Sequence, residues 1–202
     1  MNIYAGLFLI SAATLALEIA LTRLLSVVSW YHLAFFAIAT AMLGATAGAI
    51  TVYVRPAWFG PERLRGNVQR AAAAFGVSVF VPLIVLCTTP LVLYDSVMSL
   101  LGLLLATASI SLPYYFSGIA IGALLTRGDL PVGRMYAADL IGAAAGCLLV
   151  LGAIAFIDAP SLVILCGAVA LFAAMAFGGD DAGTIPRKRL RLAALLLVAL
   201  AG

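Results

Sequence analysis

Charge is scarce in this sequence. Asp, Glu, Lys and Arg make up 9% of its 202 residues, while 65% are hydrophobic and the mean hydropathy is +1.21. Soluble domains carry roughly a quarter of their residues as charges, so this deficit excludes a water-soluble globular domain. Histidine is nearly absent: the single His32 cannot supply two axial imidazoles, and a bis-histidine haem site within the chain is ruled out. The three cysteines, Cys87, Cys147 and Cys166, stand alone inside apolar runs without a CxxC spacing, and each reads as a small hydrophobe with no metal motif. No glycine-rich turn follows a soluble strand, so no nucleoside cofactor has a site in this chain, and none is expected. Basic residues are dispersed without interleaved aromatics, and the net charge of +3 gives no reason to expect nucleic acid as a partner. Ser117 follows Tyr115 and Phe116 without the glycine two positions earlier that an intramembrane Ser-His protease of the GxSG type requires.

What fills the sequence instead is long apolar runs. Six are long enough to cross about 30 Å of hydrocarbon, over residues 3–28, 31–54, 71–94, 97–126, 134–157 and 160–178. The first has no basic region before it and no cleavage site after it, and it reads as a retained span. A last apolar run over 190–202 has about 13 residues, too few to cross. The expected fold is therefore all-α, a polytopic transmembrane bundle of six spans plus an incomplete seventh, with the native chain expected to continue past Gly202. The second connection contains Arg55, Arg63, Arg65 and Arg70, the fourth Arg127 and Arg134, and the sixth Arg187, Lys188, Arg189 and Arg191. The first, third and fifth connections, near Ser29, Asp95 and Asp158, have no lysine or arginine. Ten of the eleven basic residues thus mark one face, which the positive-inside rule makes cytoplasmic. The N-terminus is expected inside, in a multipass protein of the cell (inner) membrane with the lipid bilayer as its first partner.

Short odd connections predict hairpins between spans 1 and 2, 3 and 4, and 5 and 6. Ala12, Ala16 and Ala20 form a small-residue stripe on span 1, and Gly44 with Gly48 forms a GxxxG on span 2. Counting from a turn between Ser29 and Trp30 sets Gly44 level with Leu15 and Gly48 level with Ser11. Two further GxxxG pairs, Gly118 with Gly122 and Gly142 with Gly146, lie on spans 4 and 5, and a loop centre near Leu130 sets Gly118 level with Gly142. Small residues let helix backbones approach within a bilayer. The expectation is close packing of span 1 on span 2 and of span 4 on span 5.

Polar side chains inside apolar spans are the candidates for function. Glu18 lies about 17 Å from the outer turn, near the bilayer centre. Arg23, five residues on, is about 140° away around the helix, outside the spacing at which side chains on one helix meet, and snorkels outwards. Thr40 on span 2 is the expected hydrogen-bond partner of Glu18, and His32 is within reach of Arg23 only. Asp139 precedes Gly142 and Gly146 by three and seven residues, so it shares their face and points at a neighbouring helix, with Arg134 or a backbone amide as its expected partner. Pro113 interrupts the hydrogen-bond ladder of span 4 beside Tyr114 and Tyr115; Tyr114, level with Gly146, either packs over that glycine or lines a cavity for an amine or lipid. Pro82 and Pro90 are expected to break span 3 in the same way.

Three stretches carry a family resemblance: Ala20 to Val28 (ALTRLLSVV) running into Trp30 to Gly48 (WYHLAFFAIATAMLGATAG), Leu112 to Arg127 (LPYYFSGIAIGALLTR) and Val132 to Val150 (VGRMYAADLIGAAAGCLLV). Together they resemble the N-terminal membrane region of spermidine synthase-like multipass proteins, and YAADLIG is the most specific segment. The resemblance implies a cytoplasmic Rossmann-like transferase domain, similar to aminopropyltransferases, after residue 202, and no catalytic residue within this chain. The membrane module would anchor that domain and bind a polyamine or an apolar substrate. Two other functions fit the same residues: a six-helix transporter-like unit, and an accessory helical subunit of a larger membrane complex.

Overall fold

The computed structural model describes residues 3–28, 33–89, 97–128, 130–178 and 184–201. Among them every regular element is helical: α1 (Ile3–Val28), α2 (Leu33–Val54), a 3-10 turn (Pro56–Phe59), α3 (Pro61–Ser78), α4 (Phe80–Thr88), α5 (Val97–Arg127), α6 (Val132–Ala153), α7 (Ala159–Phe177) and α8 (Arg187–Ala201). Six helical stretches are long and apolar enough to cross a membrane, with α3 and α4 together making the third. The protein is an all-α multipass membrane bundle.

The third span begins earlier than hydropathy places it. The apolar run starts near residue 71, yet the helix starts at Pro61, with Gly60 before it and Glu62 in its first turn. Proline at the first helical position and an acidic residue beside it are start signals in their own right, so α3 carries Arg63, Arg65 and Arg70 on helical turns and not in a loop. The helix then breaks at Val79. Pro82 is four residues beyond Ser78, and its ring occupies the space in which the Ser78 carbonyl would meet a continuing helix. Pro113 interrupts no such boundary, because α5 runs through it without a break. Pro90 lies outside the described residues.

Four helices, α1, α7, α3 and α5, pack in a ring, each against the next. The other three long helices lie outside it: α6 against α1, α2 against α5 and the edge of α1, and α8 against α7. Of the expected hairpins, α1 packs on α2, and α3 and α4 pack on α5, but α6 and α7 diverge and do not pack along their lengths. α8 runs back beside α7 with Leu190, Ala194 and Leu197 buried, and Leu197 reaches the level of Gly167.

The glycines make their close approaches to helices other than the expected ones. A Cβ on Gly142 would collide with the carbonyl oxygen of Phe8, and one on Gly146 with that of Ala12, so both lie against α1. Gly118 faces the Ala45 backbone on α2, and Gly44 and Gly48 face the Ser111 and Tyr115 carbonyls on α5. Gly122 packs more loosely: a Cβ added there would lie 3.6 Å from the Ala49 Cα. Gly118 and Gly142 therefore do not meet, and neither does the Gly44–Gly48 face meet Ser11 and Leu15. Counting from a loop fixes a residue's height in the membrane but not its direction around the helix. The close pairs, α1 with α6 and α2 with α5, each consist of two helices running the same way. In both, glycines lie on the partner's backbone carbonyls; α5 answers the α2 glycines with Gly118, whereas α1 meets Gly142 and Gly146 with the Phe8 and Ala12 backbone and no glycine of its own.

Candidate functional site

Asp139 is tied into the α1–α6 contact. Its carboxylate accepts the hydroxyl of Ser11, a buried residue 128 positions earlier. The GxxxG approach of Gly142 and Gly146 brings α6 close enough to α1 for two short side chains to meet. Arg134, the expected partner, is exposed in the first turn of α6 and makes no such bond among the described residues. Asp139 is thus a cross-link between helices, with its oxygen held by a neutral hydroxyl.

Glu18 stands differently. It is half-buried on α1, and its backbone carbonyl accepts the hydroxyl of Thr22. Its carboxylate has no hydrogen bond or ion pair among the described residues. The expected partner Thr40 turns its hydroxyl back onto its own helix, to the Phe36 and Ala37 carbonyls at 2.9 Å. Arg23 is exposed and unpaired with Glu18, as five-residue spacing dictates. His32 lies outside the described residues.

The residue that shares electrostatic reach with Glu18 is Tyr114. This side chain, 2% exposed, is the largest fully buried one among the described residues. Its phenol is within electrostatic range of the Glu18 carboxyl on α1 and the Cys166 thiol on α7. It does not sit over Gly146, which packs on Ala12; its Cβ lies instead against Gly44 of α2. The result is a small polar spot at the junction of α1, α5 and α7. Tyr115 points the other way, towards α2, where its hydroxyl lies 3.1 Å from that of Thr51. Thr51 already donates to the Ala47 carbonyl at 2.9 Å, so the phenol is the donor. Tyr115 is therefore a packing and hydrogen-bonding residue of the α2–α5 seam, alongside Ser111, which donates to the Thr40 carbonyl at 3.0 Å.

Two polar residues absent from the expected set hold the bundle together. Ser11 is one. Gln69, fully buried on α3, is the other: its side-chain amide donates to the Ile185 carbonyl at 3.1 Å and accepts from the Ile185 N–H at 2.8 Å. It thus satisfies both peptide groups of a residue just before α8. The available signal was its place one position after Val68 and two before Ala71, on the apolar face of a basic helix.

Among the described residues no group of three or more His, Cys, Asp or Glu could hold a metal ion. Cys87, Cys147 and Cys166 are free thiols. Cavities of about 630, 440 and 120 Å³ open on the described surface, and neither Glu18 nor Asp139 lines these. Comparison of the chain with known protein families, with characterised proteins and with solved structures finds no match to any of them.

Proposed function

We propose that this chain is the membrane module of a spermidine synthase-like protein, set with its N-terminus and arginine-rich face in the cytoplasm, and that Glu18 is the point at which it receives a cationic amine. The observation that carries this reading is the polar spot at Glu18: a half-buried carboxylate without a hydrogen-bonding or ionic partner among the described residues, within electrostatic range of the buried phenol of Tyr114. An ionised carboxylate at that depth is unfavourable unless it is paired. An ammonium group supplies both the opposite charge and N–H donors, and the phenol adds a hydroxyl to the same spot. The resemblance to spermidine synthase-like proteins supports an amine as the ligand class. Asp139 differs in that one of its oxygens already accepts the Ser11 hydroxyl. A carrier would need a polar path from Glu18 to both faces. The cavities of about 630, 440 and 120 Å³ give no such path among the described residues, which supports an anchoring and binding module.

The test is thermal unfolding of the purified chain in detergent with increasing spermidine. Spermidine is expected to raise Tm saturably in the wild type and to have no effect on Glu18→Gln, whose own Tm should stay within a few degrees. An equal spermidine response in the two proteins, or none in the wild type, overturns the proposal.

A further inference from the structure

The cavity of about 630 Å³ lies at the arginine-rich end of the bundle, away from Glu18, and nothing above uses it. Its size is in the range of small-molecule sites. Arg63, Arg65 and Arg70 of α3 reach it, with Glu62 as the acidic residue among the described ones that line it. Arg63 and Arg65 make no hydrogen bond or ion pair among the described residues. The wall is preset. Asn67 donates to the Trp58 carbonyl and accepts from Arg70 at 3.4 Å, and the Arg55 guanidinium lies 4.3 Å over the Trp58 ring. A half-exposed tryptophan beside arginines is the pattern of a membrane–water boundary.

The floor differs from the mouth. Phe116 and Ile119 of α5 line it, 11 and 8 residues before the last residue of that helix, Arg127. At 1.5 Å per residue they lie about 12 to 16 Å below the basic end. The lining therefore passes from guanidinium to hydrocarbon along the direction of the membrane normal. A free phosphate would use the mouth alone, whereas an amphiphile with a phosphoryl head uses both ends.

We propose that this cavity is a binding site for a phosphoryl group, and that its natural occupant is the headgroup of an anionic phospholipid, with the glycerol and first methylenes against Phe116 and Ile119. Guanidinium forks match phosphate oxygens in pairs, and basic recesses at the cytoplasmic end of helix bundles suit acidic lipid heads. A zwitterionic lipid brings its own cation and gains less from the Arg63 and Arg65 guanidiniums. The site stands apart from the Glu18 reading and does not depend on it.

The delipidated full chain in detergent tests this by Tm and by lipid retention in native mass spectrometry, with phosphatidylglycerol, phosphatidylcholine or inorganic phosphate added. Phosphatidylglycerol is expected to raise Tm by several degrees and to remain bound one per chain, and phosphatidylcholine to do neither. Arg63→Gln with Arg65→Gln should weaken phosphatidylglycerol binding at least tenfold. Arg127→Gln, on the same face but outside the cavity, should leave it unchanged. Should the double variant melt below the wild type without lipid, Arg63→Lys with Arg65→Lys keeps both charges and must still weaken binding, by a smaller factor. Inorganic phosphate that reproduces the shift and displaces the lipid would assign the cavity to a soluble phosphate ester and overturn its lipid form. Equal responses to the two lipids, or an equal loss in Arg127→Gln, would overturn the site itself.

Discussion

Ser11 and Asp139 show how much one hydrogen bond can set at the level of single residues. The bond joins helices 128 positions apart in sequence. Removing the hydroxyl in Ser11→Ala leaves a carboxylate inside the helix contact without its donor, at a cost on the order of 1–3 kcal/mol. A double-mutant cycle of Ser11→Ala with Asp139→Ala should return a coupling of about 0.6 to 1.7 kcal/mol, the range found between helices in a bilayer. The check is unfolding in mixed detergent, and a coupling near zero would mean that the two side chains do not meet. The face of Asp139 was legible from its three- and seven-residue spacing to Gly142 and Gly146; its partner was not, because that depends on which helix α6 meets. Gln69 makes the same point. Gln69→Leu would leave both peptide groups of Ile185 without their partners, and with two bonds lost a destabilisation on the order of 2–3 kcal/mol is expected, together with faster proteolysis ahead of α8. A protected wild-type-like digestion pattern would argue against it.

Whole helices are held by glycines pressed onto backbone carbonyls, and substitutions there separate the seams from one another. Gly44→Leu and Gly118→Leu both act on the α2–α5 contact, so the first should already part the helices and the second add little. Gly118→Leu and Gly142→Leu act on different contacts, α2–α5 and α1–α6, and their losses in Tm should add. Each single change overpacks a tight site and is expected to cost about 1–3 kcal/mol or more. Sub-additive losses for Gly118 and Gly142 would return them to one interface. α7 offers a test at its other end. Asp158 caps it by accepting the Ser161 N–H at 3.2 Å, and the bonds from Ser161 hold its carboxyl below the ordinary value of 3.8. A depressed pKa in the folded state means stability present above pH 3.8 and lost as pH falls below it. The Tm advantage of wild type over Asp158→Ala should therefore shrink on acidification below about pH 4, while Asp158→Asn keeps its Tm across that range. At this scale hydropathy marked the six spans well, because length and apolarity are local properties. It missed the early start of α3 and the partners of the glycines, because a helix continues past its apolar stretch and its rotation is set by tertiary contacts.

For the whole molecule the open quantity is which face meets the cytoplasm, and the charge distribution makes a definite prediction. Arg55, Arg63, Arg65, Arg70, Arg127, Arg134 and the cluster from Arg187 to Arg191 mark one end of the bundle, and the connection between α6 and α7 at the other end has no basic residue. Cytoplasmic loops retain such residues during insertion. Three positions report on the two ends with little disturbance to the fold: Gly60 and Gly133, where an added Cβ meets nothing within 4 Å, and Ala155, exposed in the turn after α6. In a background with Cys87, Cys147 and Cys166 replaced by alanine, an impermeant thiol reagent added to intact cells should label Ala155→Cys and leave Gly60→Cys and Gly133→Cys unlabelled until the membrane is opened. The cavity bounded by Arg63 and Arg65 would then face the leaflet whose anionic lipids it suits. The opposite labelling would put the arginines outside, against the charge rule, and would set both the phosphoryl site and any transferase domain that follows on the wrong side for the functions proposed here.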